Sequence, residues 1–322
     1  MELIRPNAEI WEQGSTLEDI WKHIARCTRV CYQSTPKENG ETDEEFVKRV
    51  ILRPDSSTGE LNFDKIHGAM LEHGTVYLKF PYTDSIEEFK KCRKYFDNKY
   101  SRVLDYRRFS HNTEEGSIYV YDRHVTTNLR VIYENGWLDD LKYICAPTKY
   151  HVKRVTVSFT TNIGVSREFN RHRVNSIAEE STRYCNYSLG KFGNHITCVK
   201  PSWLLDSMPA DREQYEQLAL DNIIKQYGTE DEHNWEDIDY YLFSLMVSNY
   251  CYNNLILKGW KPQQAREVLP LATKTQLIHT AFVDDWKHFF ALRADGVSGP
   301  PHPNAKLVAA PLKEEFIKRG LL

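Results

Sequence analysis

Apolar positions recur at helical spacing in "STLEDIWKHIARCTRVCY", where Leu17, Ile20, Trp21, Ile24 and Cys31 fall near one face and Ser15 with Glu18 reads as a capping box. After the polar loop "QSTPKENGETD", a second capped helix is predicted from Thr42 with Glu45, turning Phe46, Val47, Val50 and Ile51 inward. A short third helix over "FDKIHGAMLEHG" then leads into a strand, "TVYLKF". Residues 81–150 change period often, with a helix at "SIEEFKKCRKYF", a strand at "GSIYVYD" and a helix stopped by Asn135-Gly136. That stretch reads as an elaboration on a fold.

Strict alternation begins in "HVKRVTVSFTTN", which places Val155, Val157, Phe159 and Thr161 on one face of a half-buried strand. Helical spacing returns in "IGVSREFNRHR" through Val165, Phe169 and His172. Helices over "ADREQYEQLALDNIIKQYG" and "NWEDIDYYLFSLMVSNYCYNNLILKG" are closed by Gly228 and Gly259. A short helix near Pro262, a β-like "LATKTQLIHTAF" and a helix "DDWKHFFALRAD" follow. Runs of helix mixed with strands that do not alternate regularly with them predict an α+β chain. No repeat or low-complexity linker divides it, and 322 residues suit one elaborated domain or two ordinary ones.

Charge changes the picture by exclusion. Lys and Arg number 42 against 45 Asp and Glu, a net −3, so no global basic field draws in nucleic acid and any anion must be held by a local cluster. Seven cysteines without disulfide-like spacing, and an N-terminus lacking the apolar core of a signal peptide, predict a reducing cytoplasm. No apolar run approaches the roughly 20 residues of a membrane span.

The local cluster is "RHRVNSIAEESTRY", residues 171–184. Successive helix positions point about 100° apart, so Arg171, His172 and Arg173 cannot share one helix face. They could grip one large anionic ligand at a helix end or around a wrapped ligand, or serve sites in different subunits; a solvated, salt-bridged face is the plainer alternative. Ser176, Glu179, Glu180, Ser181 and Arg183 add donors and acceptors of the kind that orient sugar, base or phosphate. The step from Arg183-Tyr184 into the β-like "YCNYS" places these charges at a helix-to-strand transition. Arg266 in "QAREVLP" is a further anion candidate or an ordinary charge near a helix end. Arg293, after the apolar face of Trp286, Phe289, Phe290 and Leu292, either snorkels from the core or lines a cleft. His67, Glu72 and His73 lack zinc-ligand spacing, and Cys27 with Cys31 reads as core. No nucleophile elbow, P-loop, GxGxxG or HExxH occurs, so chemistry would be carried by a cofactor.

Arg171-His172-Arg173 followed by seven residues and Ser181, with Glu179, Arg183 and Tyr184, resembles the signature of the flavin-dependent thymidylate synthases. "HGAMLEHGTVYLKF" and "QAREVLP" through "FFALRAD" resemble two more blocks of that family in the same order, and the likeness covers residues 16–33, 60–80, 150–190 and 260–295. The resemblance implies a single domain over residues 1–322 built as an antiparallel sheet with flanking helices, residues 81–150 as an insertion, and a homotetramer with shared active sites. It implies reductive methylation of dUMP to dTMP with methylenetetrahydrofolate, FAD and NADPH. By the same resemblance His67, Arg171, His172, Arg173 and His288 would contact cofactor, and Glu168, Glu179, Ser181, Arg183, Arg266 and Arg293 would hold the nucleotide. Arg293 would be the catalytic cation, and no metal is implied. Glu168 stands where the family usually carries Gln, which leaves room for another pyrimidine nucleotide or a hydroxymethyl product. The changed run "GVSGPPHPNAKL" after Arg293 would suit a lapsed nucleotide-binding homologue.

Overall fold

The computed structural model describes residues 1–36, 40–54, 58–59, 66–81, 86–113, 116–205 and 236–322. The helix expected to close at Gly228 lies outside them, as do the first three residues of the short third helix.

Helix α1 spans Leu17–Tyr32, and its N-cap is Thr16, whose hydroxyl accepts from the Asp19 amide while the Asp19 carboxylate bonds back to Thr16. The capping box therefore sits one residue later than Ser15–Glu18. Helix α2 (Asp43–Val47) is capped by Thr42 and Glu45 as expected. It runs on into a wider π-helical turn, Lys48–Leu52, that ends at Arg53 with φ +47°.

Among the described residues, strands β2 (Asn7–Trp11), β6 (Arg154–Asn162), β7 (Ser176–Glu179) and β9 (Lys274–Phe282) form a sheet of order β2-β6-β9-β7, every neighbouring pair antiparallel. A second antiparallel sheet, β3-β5-β4, joins β3 (Thr75–Phe80) to the long hairpin β4 (Arg102–Thr113) and β5 (Gly116–Asn128). Strands β1 (Glu2–Ile4) and β8 (Thr197–Val199) form a parallel pair. Helices α3 (Ile86–Phe96), α4 (Leu129–Glu134), α5 (Ile163–Phe169), α6 (Asp237–Leu257), α7 (Val283–Phe290) and α8 (Pro303–Lys318) flank these sheets in an α+β fold.

Three expectations need correction. β6 is buried on both faces: its odd positions enter an aromatic core around Trp286 and Phe289, while Thr156 and Ser158 lie beneath α1 and not in water. Thr156 bonds Thr280 and His23 there and Ser158 accepts from Gln276 Nε2 at 3.1 Å, so polar residues on a buried face imitate a solvated one in the sequence pattern. β4 was not anticipated, because "RVLDYRRFSHNT" carries charges where a strand period would need apolar residues. Nor was α8, whose start is masked by "PPHP" and which tolerates Pro311; its Ala305, Val308, Ala309, Leu312 and Phe316 are buried, and Phe316 meets Trp286 with ring centroids 5.4 Å apart.

Candidate functional site

Asn162 ends β6 and caps α5, its side-chain oxygen accepting from the Val165 amide at 2.8 Å. The helix stops at Phe169, so Arg171-His172-Arg173 is not helical and folds as consecutive turns. The facing problem disappears: Arg171 and Arg173 are exposed and His172 is buried between them. "YCNYS" is likewise not a strand. The strand is β7, which follows Arg171–Arg173 and includes Glu179, and Ser181–Tyr184 is the turn leaving it.

The α7 helix widens into a π-helical turn, Ala291–Asp295, before Gly296 at φ +73°. Such a turn re-aims a side chain, and here it carries Arg293. Arg293 neither snorkels nor stands free. Its Nε donates to His172 Nε2 at 3.2 Å, Nη1 to a Glu168 carboxylate oxygen at 3.0 Å and Nη2 to the Glu168 carbonyl at 2.8 Å. Burial, with the nearby Arg293 and His288 charges, holds the His172 pKa at about 4, so the ring is neutral and can accept from Arg293. The rings of His172 and His288 lie 5.8 Å apart. Burial also draws the Arg293 pKa below its ordinary value, against the Glu168 charge that raises it.

A separate cavity of about 550 Å³ opens between α5, the end of β7 and the turn carrying Arg266. Glu179, Ser181, Arg183 and Arg266 line it together. Glu179 accepts from Asn170 Nδ2 at 2.9 Å and Thr275 Oγ1 at 3.2 Å, and the Ser181 hydroxyl accepts from the Arg183 amide at 3.3 Å. Arg266 reaches Thr182 Oγ1 at 3.5 Å. Arg167, Thr182 and Lys274 were not singled out from the sequence. Arg167 and Thr182 line the cavity, while Lys274 pairs at 2.6 Å with the buried Glu180, which also accepts from Tyr187 OH. A lysine opening the β-like "TQLIHTAF" was the available signal. Beside them burial and the Glu180 charge push the Cys185 thiol up to about 12, which disfavours its thiolate.

Arg173 lines a third region, a cavity of about 380 Å³ with Lys99, Arg102, Arg154, Asn175, Phe282 and two carboxylates, Glu72 and Asp285. Asn175 donates to Nδ1 of the neutral, buried His279, whose pKa burial lowers to about 3, while its own Oδ1 is buried with no hydrogen-bond partner. Arg171 lies outside the lining of both cavities but its charge is felt by Arg293. His67, just before a 3₁₀ segment (Gly68–His73), is also outside both linings. The chain thus holds most of the expected residues in three places. Among the described residues, no group of three or more His, Cys, Asp or Glu could hold a metal, and no helix is long and apolar enough to cross a membrane.

A family model described as thymidylate synthase complementing protein matches residues 150–318. Among curated proteins the chain is similar to a probable flavin-dependent thymidylate synthase of Paramecium bursaria Chlorella virus 1, with 25% identity over 172 residues. That match covers 51% of this chain and 66% of the viral protein, just under two thirds of the relative's length. Among solved structures it is similar to a UMP/dUMP methylase from Streptomyces cacaoi bound with 5-Br dUMP, at 16% identity and a TM-score of 0.41, covering 99% of this chain and 93% of that one. The same methylase with 5-Br UMP gives 15% identity and a TM-score of 0.42, with 99% and 92% covered.

Proposed function

The chain belongs to the thymidylate synthase complementing protein family, the flavin-dependent thymidylate synthases, and from that premise we propose that it reductively methylates dUMP to dTMP in the cytoplasm, using methylenetetrahydrofolate, FAD and NADPH. The observation that carries this reading is the 550 Å³ cavity, where Arg167, Arg183 and Arg266 surround a space floored by Glu179. Guanidinium forks match phosphate oxygens bidentately, so Arg183 and Arg266 would hold the 5′-phosphate. The hydroxyls of Ser181 and Thr182 and the free lone pairs of Glu179 would then meet sugar and ring.

Arg293 is the proposed catalytic cation. Exchanging its Glu168 contact for the pyrimidine, it would stabilise negative charge developing on the ring. Neutral His172 supports that exchange, since it orients Arg293 without adding a competing positive charge. The placement of Arg173, Arg293 and the nucleotide cavity in three parts of one protomer favours a homotetramer in which neighbouring chains complete each site, with Arg171, His288 and His67 facing cofactor.

The Arg173 cavity suits a flavin dinucleotide. Lys99, Arg102, Arg154 and Arg173 outnumber Glu72 and Asp285, which fits a pyrophosphate, and the unpartnered Asn175 oxygen is an acceptor awaiting a donor. Arg173, Arg102 and Asn175 would hold FAD, which when bound supplies the hydride that completes the methyl group.

A second reading, methylation or hydroxymethylation of another pyrimidine nucleotide, draws on the acidic Glu168 beside Arg293. Incubating the protein with dUMP or dCMP, methylenetetrahydrofolate and NADPH and weighing the nucleotide product separates the two. Formation of dTMP from dUMP is expected. A hydroxymethylated or cytidine product would favour the second reading, and unchanged nucleotides with no uptake of FAD would refute both.

A further inference from the structure

We propose that a second cavity, sharing a wall with the nucleotide site, binds a planar aromatic group that carries an anion. It occupies about 400 Å³ between the end of α1 and the π-helical turn after α2, a volume suited to a ligand fragment. The turn Ser181–Tyr184 divides the two sites. Arg183 lines the nucleotide cavity and Tyr184 lines this one, with the Arg183 guanidinium 5.4 Å from the centre of the Tyr184 ring.

Its chemistry follows from six side chains. Tyr32 and Tyr184 pack with ring centroids 5.2 Å apart, and Tyr184 remains 57% exposed, an open aromatic surface. Phe46 lies beneath two guanidinium groups, Arg29 at 4.1 Å and Arg49 at 5.7 Å from its ring centre. Those two cations are already neutralised, Arg29 by Asp43 at 2.7 Å and Arg49 by a two-pronged contact with Glu41 at 2.6 and 2.9 Å. Arg53 is not. Its Nε donates to the Val50 carbonyl at 3.0 Å, and it makes no ion pair with a carboxylate among the described residues. Among the described residues it is one of three non-glycine residues at positive φ, +47°, a conformation that costs free energy and recurs at binding sites. The cavity is thus an aromatic wall facing one uncompensated guanidinium, which selects for a flat ring with a carboxylate or phosphate attached.

Resting on the proposed reaction, two sources present that chemistry, the benzoylglutamate end of the folate and the phosphoadenosine end of NADPH. Calorimetric titration with p-aminobenzoylglutamate and, separately, with adenosine 2′-monophosphate distinguishes them. At least one should bind to the intact protein and weaken roughly tenfold or more in Arg53→Ala and in Tyr184→Leu. Loss of the benzoylglutamate signal assigns the site to folate, and loss of the phosphoadenosine signal assigns it to the pyridine nucleotide. Binding of neither probe, or binding that both variants leave unchanged, overturns the proposal. Titrating dUMP in parallel keeps the two readings apart: Arg266→Ala should weaken dUMP and spare these probes, while Arg53→Ala should do the reverse. Failure of dUMP to bind at all would count against the nucleotide site alone.

Discussion

Helix α1 lies between two interiors of different character. Toward the β3-β5-β4 sheet it presents Ile20, Trp21, Ile24 and Ala25, which pack with Val76, Leu78, Val125 and Tyr95 in a mainly hydrocarbon core. Toward the β2-β6-β9-β7 sheet it presents His23, whose Nε2 is hydrogen-bonded to Thr156; Thr156 bonds Thr280 at 2.7 Å, and Thr280 bonds His73 at 2.8 Å. The first interior is held by burial of apolar area, which tolerates shape change and ignores pH. The second depends on neutral, oriented imidazoles and hydroxyls, and it is this sheet that carries the turns with Arg173, Arg183 and Arg293. Orientation of polar groups is therefore concentrated where the proposed chemistry is.

The comparison is most exposed to removal of Trp286, fully buried with its indole donating to the Val155 carbonyl at 3.1 Å and four phenylalanines around it. Trp286→Ala should cost roughly 3–5 kcal/mol, read as a fall in the urea midpoint. A loss under 1 kcal/mol would mean the aromatic layer does not support this sheet. Arg293→Ala should lower turnover about 100-fold or more with circular dichroism unchanged; near-normal product formation would remove Arg293 from the mechanism.

Acid should weaken this sheet first. Burial holds His23, in the polar interior, at about 4, and His279, on the opposite face of β9 against Phe159 and Trp286, at about 3, both below the roughly 6.5 of an unfolded histidine. The unfolded chain takes up these protons first as pH falls, so the stabilisation is complete above about 6.5 and drains away toward the folded values. Each histidine contributes a slope of up to about 1.4 kcal/mol per pH unit in that window. Denaturation at pH 7 and pH 5 should show the loss, and His279→Gln should flatten it; identical slopes in the variant would exclude His279 as a source. The smallest effect belongs to the other interior. Tyr95→Phe removes a 2.7 Å bond to Asp140, which keeps its pair with Lys94, and should cost about 1 kcal/mol without pH dependence near neutrality.

Much of this architecture was legible from periodicity. α1, α2, β3, β9 and the Asn135-Gly136 stop appear where alternating or helical spacing placed them, because one face of each must meet a core. β4 and α8 were not legible: charge in one and prolines in the other hide elements that tertiary pairing and packing stabilise. The signature residues could be listed from their spacing, yet their facing could not, since the end of α5 at Phe169 decides it.

By itself the sequence determined the family, the mixed helix and sheet content and the identities of the charged groups, because these depend on local pattern and residue chemistry. Only the tertiary structure decided that β6 is buried on both sides, that Arg293 is held by Glu168 and His172, and that Tyr184 and Arg183 face different cavities. Those outcomes arise from contacts between segments more than a hundred residues apart, as in the Arg293 to Glu168 pair, or from turns whose direction no periodicity encodes.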